Sequence, residues 1–322
     1  MSLFLQIKPF AFQLLMPLRT SQGILRDKKG FLIHLQNEDK ESGWGEVAPM
    51  KNAELNLCAA ILKSLGSTPS REKLERNLAT WPGSLSFGIG AALAELDSLV
   101  GHKSSQDWLK TSQSALLLPT DKSPVLFLES ILKDSQIKNE NLTIKWKVGN
   151  SPMEVEKKLL GEILRRLPQN AHLRLDANGG WDRKQAMDWA NHLSTEPKLE
   201  WIEQPLPAND ISGLEELSTK IPVALDESLL LNPVLKETWQ SWQIRKPLLE
   251  GDPRVLLKEL TNNVGYRVIS TSFETGIGRR WIHHLAALQQ KGPTPTAPGL
   301  APGWCPDSAM FSANPESVWD AA

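Results

Sequence analysis

The stretch LRLDANGGW, Leu173–Trp181, decides the fold, because four other segments repeat its design. Upstream stands TIKWKVG (Thr143–Gly149). Downstream follow LEWIEQPLP (Leu199–Pro207), VALDESLLL (Val223–Leu231) and WQIRKPLLEG (Trp242–Gly251). Each carries a few apolar or β-branched residues into one charged residue and then breaks toward a helix. The charged residues are Lys147, Asp176, Glu203, Asp226 and Lys246, at intervals of 29, 27, 23 and 20 residues. One strand, one helix and two loops fill such an interval, so the spacing predicts a repeated parallel βα unit.

In a βα repeat that closes into an eight-stranded barrel, active sites lie at the C-terminal ends of the strands. A charged residue closing an apolar strand therefore faces the mouth. Asp176, Glu203 and Asp226 come from consecutive strands and stand side by side, an oxygen-rich set suited to a hard cation such as Mg²⁺. If Lys147 closes the second strand, Lys246 closes the sixth, across the ring. An isolated strand-end carboxylate is more often a helix cap or surface charge, and an isolated lysine usually lays its stem along apolar surface. Five such residues at successive strand ends are not explained that way. The set reads as proton chemistry beside a cation-bound carboxylate.

Composition bounds the remaining possibilities. At 322 residues the chain has room for one barrel of about 250 residues plus a smaller domain, or for two ordinary domains. A hydrophobic fraction of 40% with 23% charged residues fits an ordinary globular enzyme. A formal net charge of −1 gives no reason to expect nucleic acid or an anionic membrane as partner. No apolar run is long enough to span a bilayer. The N-terminal MSLFLQIKPFAFQLLM alternates like a strand and does not read as a signal peptide. Cys58 and Cys305 lie in no motif, which fits a reducing cytoplasm and argues against disulfides or zinc. Twelve Trp against one Tyr is unusual, and core packing is the plain reading of it.

Residues 1 to about 50 read as antiparallel sheet: strands near Leu3–Leu15 and Gly30–Gln36, a polar loop over PLRTSQGILRDKKG between them, and a third strand from Gly43. In GWGEVAP (Gly43–Pro49), glycine allows close backbone approach to another surface. From Ala53 to Val100 the period turns helical, with one stripe at Leu55, Cys58, Ala59, Ile61 and Leu62 and another at Ile89, Ala92, Leu93 and Leu96. Strands followed by helices make residues 1–110 an α+β domain, and 111–304 the barrel. Ser114–Leu118 is the candidate first barrel strand and Arg267–Thr271 the seventh; the eighth is poorly marked within Gly292–Pro306. Ser151-Pro152-Met153-Glu154 reads as a capping box, and Asp182 with Gln185 as another. In SFETGIGRRW, Gly276 and Gly278 precede an apolar-striped helix whose free N–H groups suit a carboxylate or phosphate. His283 and His284 point about 100° apart on that helix and do not chelate together.

With these residues placed, the chain resembles the enolase superfamily, and within it the muconate-lactonizing subgroup. The resemblance rests on the pair Lys145-Trp146-Lys147, the Asp/Glu/Asp series and Lys246, and extends through PLRTSQG, GWGEVAP, WPGSLSFGIGAALAELD (Trp81–Asp97) and SFETGIG. It implies a modified TIM (β/α) barrel with an N-terminal α+β capping domain, completed by the tail 305–322. It implies Mg²⁺, with Mn²⁺ as the alternative ion, held by Asp176, Glu203 and Asp226. Lys147 corresponds to the acid/base, Lys246 to the opposing ammonium, and Lys145, Arg174 and Asn178 to residues around metal and base. Ser272, Gly276 and Gly278 correspond to the segment that receives a substrate carboxylate, and the loop with Arg19 and Thr20 to a lid. The dehydratase branch, which serves menaquinone and phylloquinone biosynthesis, is the nearest match. Its substrate is a small anionic carboxylate; monomer and homo-oligomer are both compatible with it. Racemase, dipeptide epimerase and cycloisomerase chemistries on the same scaffold are the alternatives. The Asp-x-Asp that usually marks dipeptide epimerases is absent between Gly292 and Asp307. Glu250 departs from the small residue expected after the sixth strand.

Overall fold

Two antiparallel strands, β1 (Phe4–Thr20) and β2 (Gly23–Gln36), open the computed structural model, which describes residues 3–20, 23–101, 107–111, 113–119, 123–133 and 142–322. They pair from Phe4↔Gln36 to Gln13↔Asp27, shift register, and pair again from Leu18↔Leu25 to Thr20↔Gly23. The segment expected as a polar loop is therefore mostly strand. Ladder hydrogen bonds come from the backbone, so side-chain polarity does not stop pairing, and the register shift absorbs the irregular middle.

β3 (Ser42–Val47) pairs with β2, and then come α1 (Asn52–Leu65), α2 (Arg71–Asn77) and α3 (Gly83–Leu96). The expected stripe on α3 turns out to be burial on nearly every side, from Ser84 to Ala94. β3 lies so close to α3 that a Cβ at Gly45 would meet the Gly88 carbonyl at 1.8 Å, and one at Gly43 the Ala92 carbonyl at 1.9 Å. That close approach is what the glycines of GWGEVAP permit.

The βα repeat then follows: β4 (Leu116–Leu117), α4 (Pro124–Ile131), β5 (Thr143–Lys147), α5 (Met153–Arg166), β6 (His172–Asp176), α6 (Arg183–Leu193), β7 (Leu199–Glu203), α7 (Ile211–Ser218), β8 (Val223–Leu225), α8 (Glu227–Leu231), α9 (Leu235–Thr238) and β9 (Trp242–Arg245). β4 to β9 are neighbours in sequence order, and each paired step from β4 to β9 is parallel. Their apolar residues pack with the helices into one core that includes Ile144, Leu173, Leu175, Ile202, Val223 and Leu225. The poorly marked eighth segment is found at Pro298–Leu300. Ala115 N donates to Pro298 O at 2.9 Å, and Leu300 N to Ser114 Oγ at 3.0 Å. Last come α10 (Pro247–Glu250), α11 (Pro253–Thr261), β10 (Arg267–Ile269), α12 (Gly276–Lys291) and α13 (Pro315–Ala321).

The chain divides into two compact units. One holds Met1–Ser112, Arg245–Thr296 and Pro302–Ala322; the other holds Gln113–Ile244 and Ala297–Ala301. Residues 245–296 thus group with the N-terminal residues, where the sequence reading has a barrel over 111–304. The reason is local packing within the first unit. Arg254 bonds Glu75 at 2.7 Å, and a Cβ at Gly83 would meet the Leu249 carbonyl at 2.1 Å. No helix among the described residues is long and apolar enough to cross a membrane.

Two helix starts were expected to be capped, and they differ. Asp182 and Gln185 form the full capping box. At α5 the cap is not Ser151. The buried carboxylate of Glu156 accepts from Gly149 N, Asn150 N and Ser151 N at 2.9–3.0 Å instead, so a charge inside the first turn satisfies the loop before it.

Candidate active site

The parallel register brings the charged strand ends of the second unit together. Lys147 lies opposite Asp176, and Asp176 opposite Glu203. Lys145 and Lys147, two apart on β5, project to one face. The Lys145 ammonium lies 2.8 Å from Asp176 Oδ2 and 2.7 Å from Glu203 Oε1. The Lys147 ammonium lies 3.2 Å from Asp176 Oδ2 and donates to Asn178 Oδ1 at 2.5 Å. Asn178, at φ 46°, donates its own N–H to Asp176 Oδ1 at 3.0 Å and its amide to Glu227 at 3.2 Å. A left-handed backbone is tolerable for asparagine, and here it turns the chain so that Asn178 reaches back to the lysine.

Burial and charge act together on these groups. Burial works against a charged Lys145, yet the charges of Asp176 and Glu203 outweigh it and hold its pKa above the usual lysine range. Burial likewise opposes ionised Asp176, but the two ammoniums prevail and keep its carboxyl below the ordinary range. For Glu203 burial wins: aided by the charges of Asp176 and Asp226 and opposed by Lys145, it is pushed up to about 7. The second unit therefore gathers more negative charge at Glu203 than its neighbours neutralise.

Arg174 sits in the same unit. Its guanidinium lies 4.0 Å over the Trp201 ring, which packs on Trp242, and its Nε bonds Glu200 at 2.5 Å. Sequence reasoning missed Gln204. Its Oε1 accepts from Asp226 N and Ser228 N at 3.1 Å, while its amide donates to Leu206 O and Ser228 Oγ. This fixes the backbone at Asp226. The signal was faint: one amide directly after a strand-end carboxylate.

In the first unit, Lys246 follows β9, and its N–H donates to Glu250, whose other oxygen bonds Arg245 at 2.7 Å. Glu250, out of place in the resemblance, thus closes the turn after the lysine. Ser272 is buried, gives its N–H to Glu274, and leaves its hydroxyl without a hydrogen bond among the described residues. The α12 start differs from its reading as an open anion cradle. Glu46 accepts from Thr275 N at 2.9 Å, Thr275 Oγ1 at 2.6 Å and Gly278 N at 3.0 Å. Gly278 is small because a Cβ would meet Glu46 Oε2 at 2.7 Å, and Gly276 because one would meet Ser312 O at 1.9 Å. Arg19 and Thr20 end β1, and their side chains lie outside the described residues. His284 accepts from Leu109 N and packs on Trp108; burial lowers it to about 4, as suits a neutral packing residue.

Among the described residues no three His, Cys, Asp or Glu side chains are spaced ready to hold a metal ion. An ammonium, that of Lys145, stands between two of the three carboxylates instead. All three acids are buried, and oxygen donors of this kind fit a hard divalent cation. Lys145 marks where such positive charge is favoured.

Comparison with known proteins agrees with this arrangement. Residues 136–233 match the family model described as enolase C-terminal domain-like. The o-succinylbenzoate synthase of Thermosynechococcus vestitus is 30% identical over 294 residues, 85% of each chain. That of Pectobacterium atrosepticum is 29% identical over 86% of this chain and 83% of its own. The crystal structure of o-succinylbenzoate synthase from Thermosynechococcus elongatus, with Mg in its active site, superposes with a TM-score of 0.77 at 28% identity, covering 99% of this chain and 100% of that one. A dipeptide epimerase from Enterococcus faecalis shares the fold at a TM-score of 0.70 and 18% identity, over 94% of this chain and 93% of its own. The architecture is the modified TIM (β/α) barrel with an N-terminal α+β domain.

Proposed function

Because the chain belongs to the o-succinylbenzoate synthase family of the enolase superfamily, we propose that this lyase dehydrates 2-succinyl-6-hydroxy-2,4-cyclohexadiene-1-carboxylate to 2-succinylbenzoate, a step of menaquinone or phylloquinone biosynthesis in the cytoplasm. The convergence of Lys145 and Lys147 on the carboxylates of Asp176 and Glu203 carries this reading.

Asp176, Glu203 and Asp226 are the residues that would hold Mg²⁺, and the ion would supply positive charge against the negative charge that develops on the substrate carboxylate. A proton α to a carboxylate is weakly acidic, so that charge must be in place before the proton leaves. Lys147, as the neutral amine, takes this proton. As ammonium it then returns a proton to the departing hydroxyl on the same face, which leaves as water while the ring becomes aromatic. The proton taken is the proton given, so the lysine ends as it began. Asn178, bonded to both Lys147 and Asp176, orients the amine. Lys145 balances the carboxylates before the ion arrives. Lys246 supplies the opposing positive charge, and Ser272 donates its open hydroxyl to the succinyl carboxylate.

The test is incubation with that cyclohexadiene carboxylate and Mg²⁺, watching for the aromatic product in the ultraviolet. N-succinylamino acids run in parallel in D₂O report α-proton exchange. Aromatic product expected and found supports the reading; exchange or racemisation without dehydration overturns it.

A further inference from the structure

A cavity of about 220 Å³ lies within the first unit, and none of the proposed lysines, metal ligands or Ser272 lines it. Its wall includes Trp108, Lys110, Arg279, Arg280, His283 and Phe311. Three of these are cations, and no carboxylate is among the described lining residues. Arg280 is the telling one. Its side chain is 9% exposed, its Nη2 serves both oxygens of Glu95 at 2.6 and 2.8 Å, and its guanidinium lies 4.8 Å over the Trp108 ring. Its Nε is buried and has no hydrogen-bond partner among the described residues.

The wall therefore combines Arg280, paired with Glu95, with two more cations, Lys110 and Arg279, and two aromatic rings, Trp108 and Phe311. Gly276 also lines the cavity, on the helix start where a Cβ would collide with Ser312. The room is right for one ring with one acid group and is below the usual size for nucleotide or drug-sized ligands. We propose that this cavity is a second ligand site, which takes an aryl carboxylate: its acid group against Arg279, Arg280 and Lys110, its ring beside Trp108 and Phe311. Arginine is well suited to this, because its planar fork both binds carboxylate and stacks on rings.

Benzoate is the probe, titrated into the full-length protein with Mg²⁺ present by calorimetry and by saturation-transfer NMR. One saturable site is expected, unchanged in Asp226→Asn and weakened at least tenfold in Arg279→Ala, with partial recovery in Arg279→Lys. Benzamide, which keeps the ring without the charge, should bind at least tenfold more weakly, and so should inorganic phosphate, which keeps charge without the ring. No benzoate binding overturns the site. So does binding lost in Asp226→Asn yet intact in Arg279→Ala, or equal binding of benzamide or of phosphate. Should Arg279→Ala fail to fold, Lys110→Ala, on an exposed side chain, is expected to weaken benzoate severalfold, and no change there counts against the proposal.

Discussion

Two clusters of buried carboxylates stand in this chain, one in each unit, and their partners differ in kind. In the second unit Glu203 and Asp176 meet the tips of long lysine side chains. In the first, Glu46 meets Thr275 N, Thr275 Oγ1 and Gly278 N, and Glu274 meets Thr271 Oγ1 and Ser272 N. Lysine tips can swing to a new partner at little cost, whereas backbone donors cannot. Carboxylates of the first sort can exchange an ammonium for a metal ion; those of the second sort are frame. The same residue type, equally buried, faces movable ammoniums in one place and fixed backbone and hydroxyl donors in the other. The nature of the donor separates them better than burial does.

The contrast is broken most decisively at Lys147. Lys147→Ala should lower kcat/KM about 10³-fold, in the range of a lost general acid/base. Stability in a urea titration should change by less than about 1 kcal/mol, because Lys145 still balances Asp176. An enzyme that kept its rate and pH–rate profile would show that the base lies elsewhere. Glu46→Ala should do the opposite. It strands Thr275 N, Thr275 Oγ1 and Gly278 N, at a cost of about 3 kcal/mol in unfolding free energy. Residual activity per folded molecule should fall far less than in Lys147→Ala.

Proton linkage sharpens the frame side of the comparison. Burial pushes Glu46 and Glu95 each up to about 7. Between the unfolded carboxylate value and 7 the native state then binds more protons than the unfolded one, so stability declines as pH rises through that window. Lys28 runs the other way: burial, only partly offset by Glu274, Glu46 and Glu54, lowers it to about 8. From 8 to the ordinary lysine value the native state has shed a proton that the unfolded chain keeps, so stability recovers as pH rises. Chemical unfolding from pH 5 to 10 should trace a minimum between about pH 7 and 8, with the acid limb the larger because two carboxylates act there against one lysine on the alkaline side. Glu95→Gln should make the acid limb shallower, leaving the part due to Glu46, and should not alter the alkaline limb; an unchanged acid limb would mean that Glu95 is ionised throughout.

Much of this was legible before any coordinates, for physical reasons. Strand periodicity and the five charged strand ends are local features repeated at one interval, and repetition is what a sequence displays openly. Lys145, Lys147, Asp176 and Asn178 meet where their spacing puts them. The pairing of Leu18–Thr20 with Gly23–Leu25 does not show in the sequence, since polar side chains hide a backbone ladder. Glu46 at the start of α12 was invisible, because the two residues it serves lie 229 and 232 positions away. Glycines 276 and 278 were read for their N–H groups when their lack of a Cβ is what the packing uses. Gln204 was passed over because an amide that fixes a neighbour's backbone leaves no pattern of its own.

Ser272 carries two kinds of polar group in one residue. Its N–H is frame, given to Glu274, while its hydroxyl is buried and idle in the described structure. A buried hydroxyl without a partner contributes nothing to folding and carries a desolvation cost, so Ser272→Ala should leave stability unchanged or raise it by up to about 1 kcal/mol. If that hydroxyl receives the substrate's distal carboxylate, KM should rise about three- to tenfold, with kcat altered less than twofold, since the bond would be present in ground and transition states alike. A thermal melt and a KM-against-kcat comparison on Ser272→Ala and Ser272→Thr decide it, threonine keeping the oxygen and with it most of the affinity. Equal KM in all three proteins would make Ser272 part of the frame and move the carboxylate's partner to another residue.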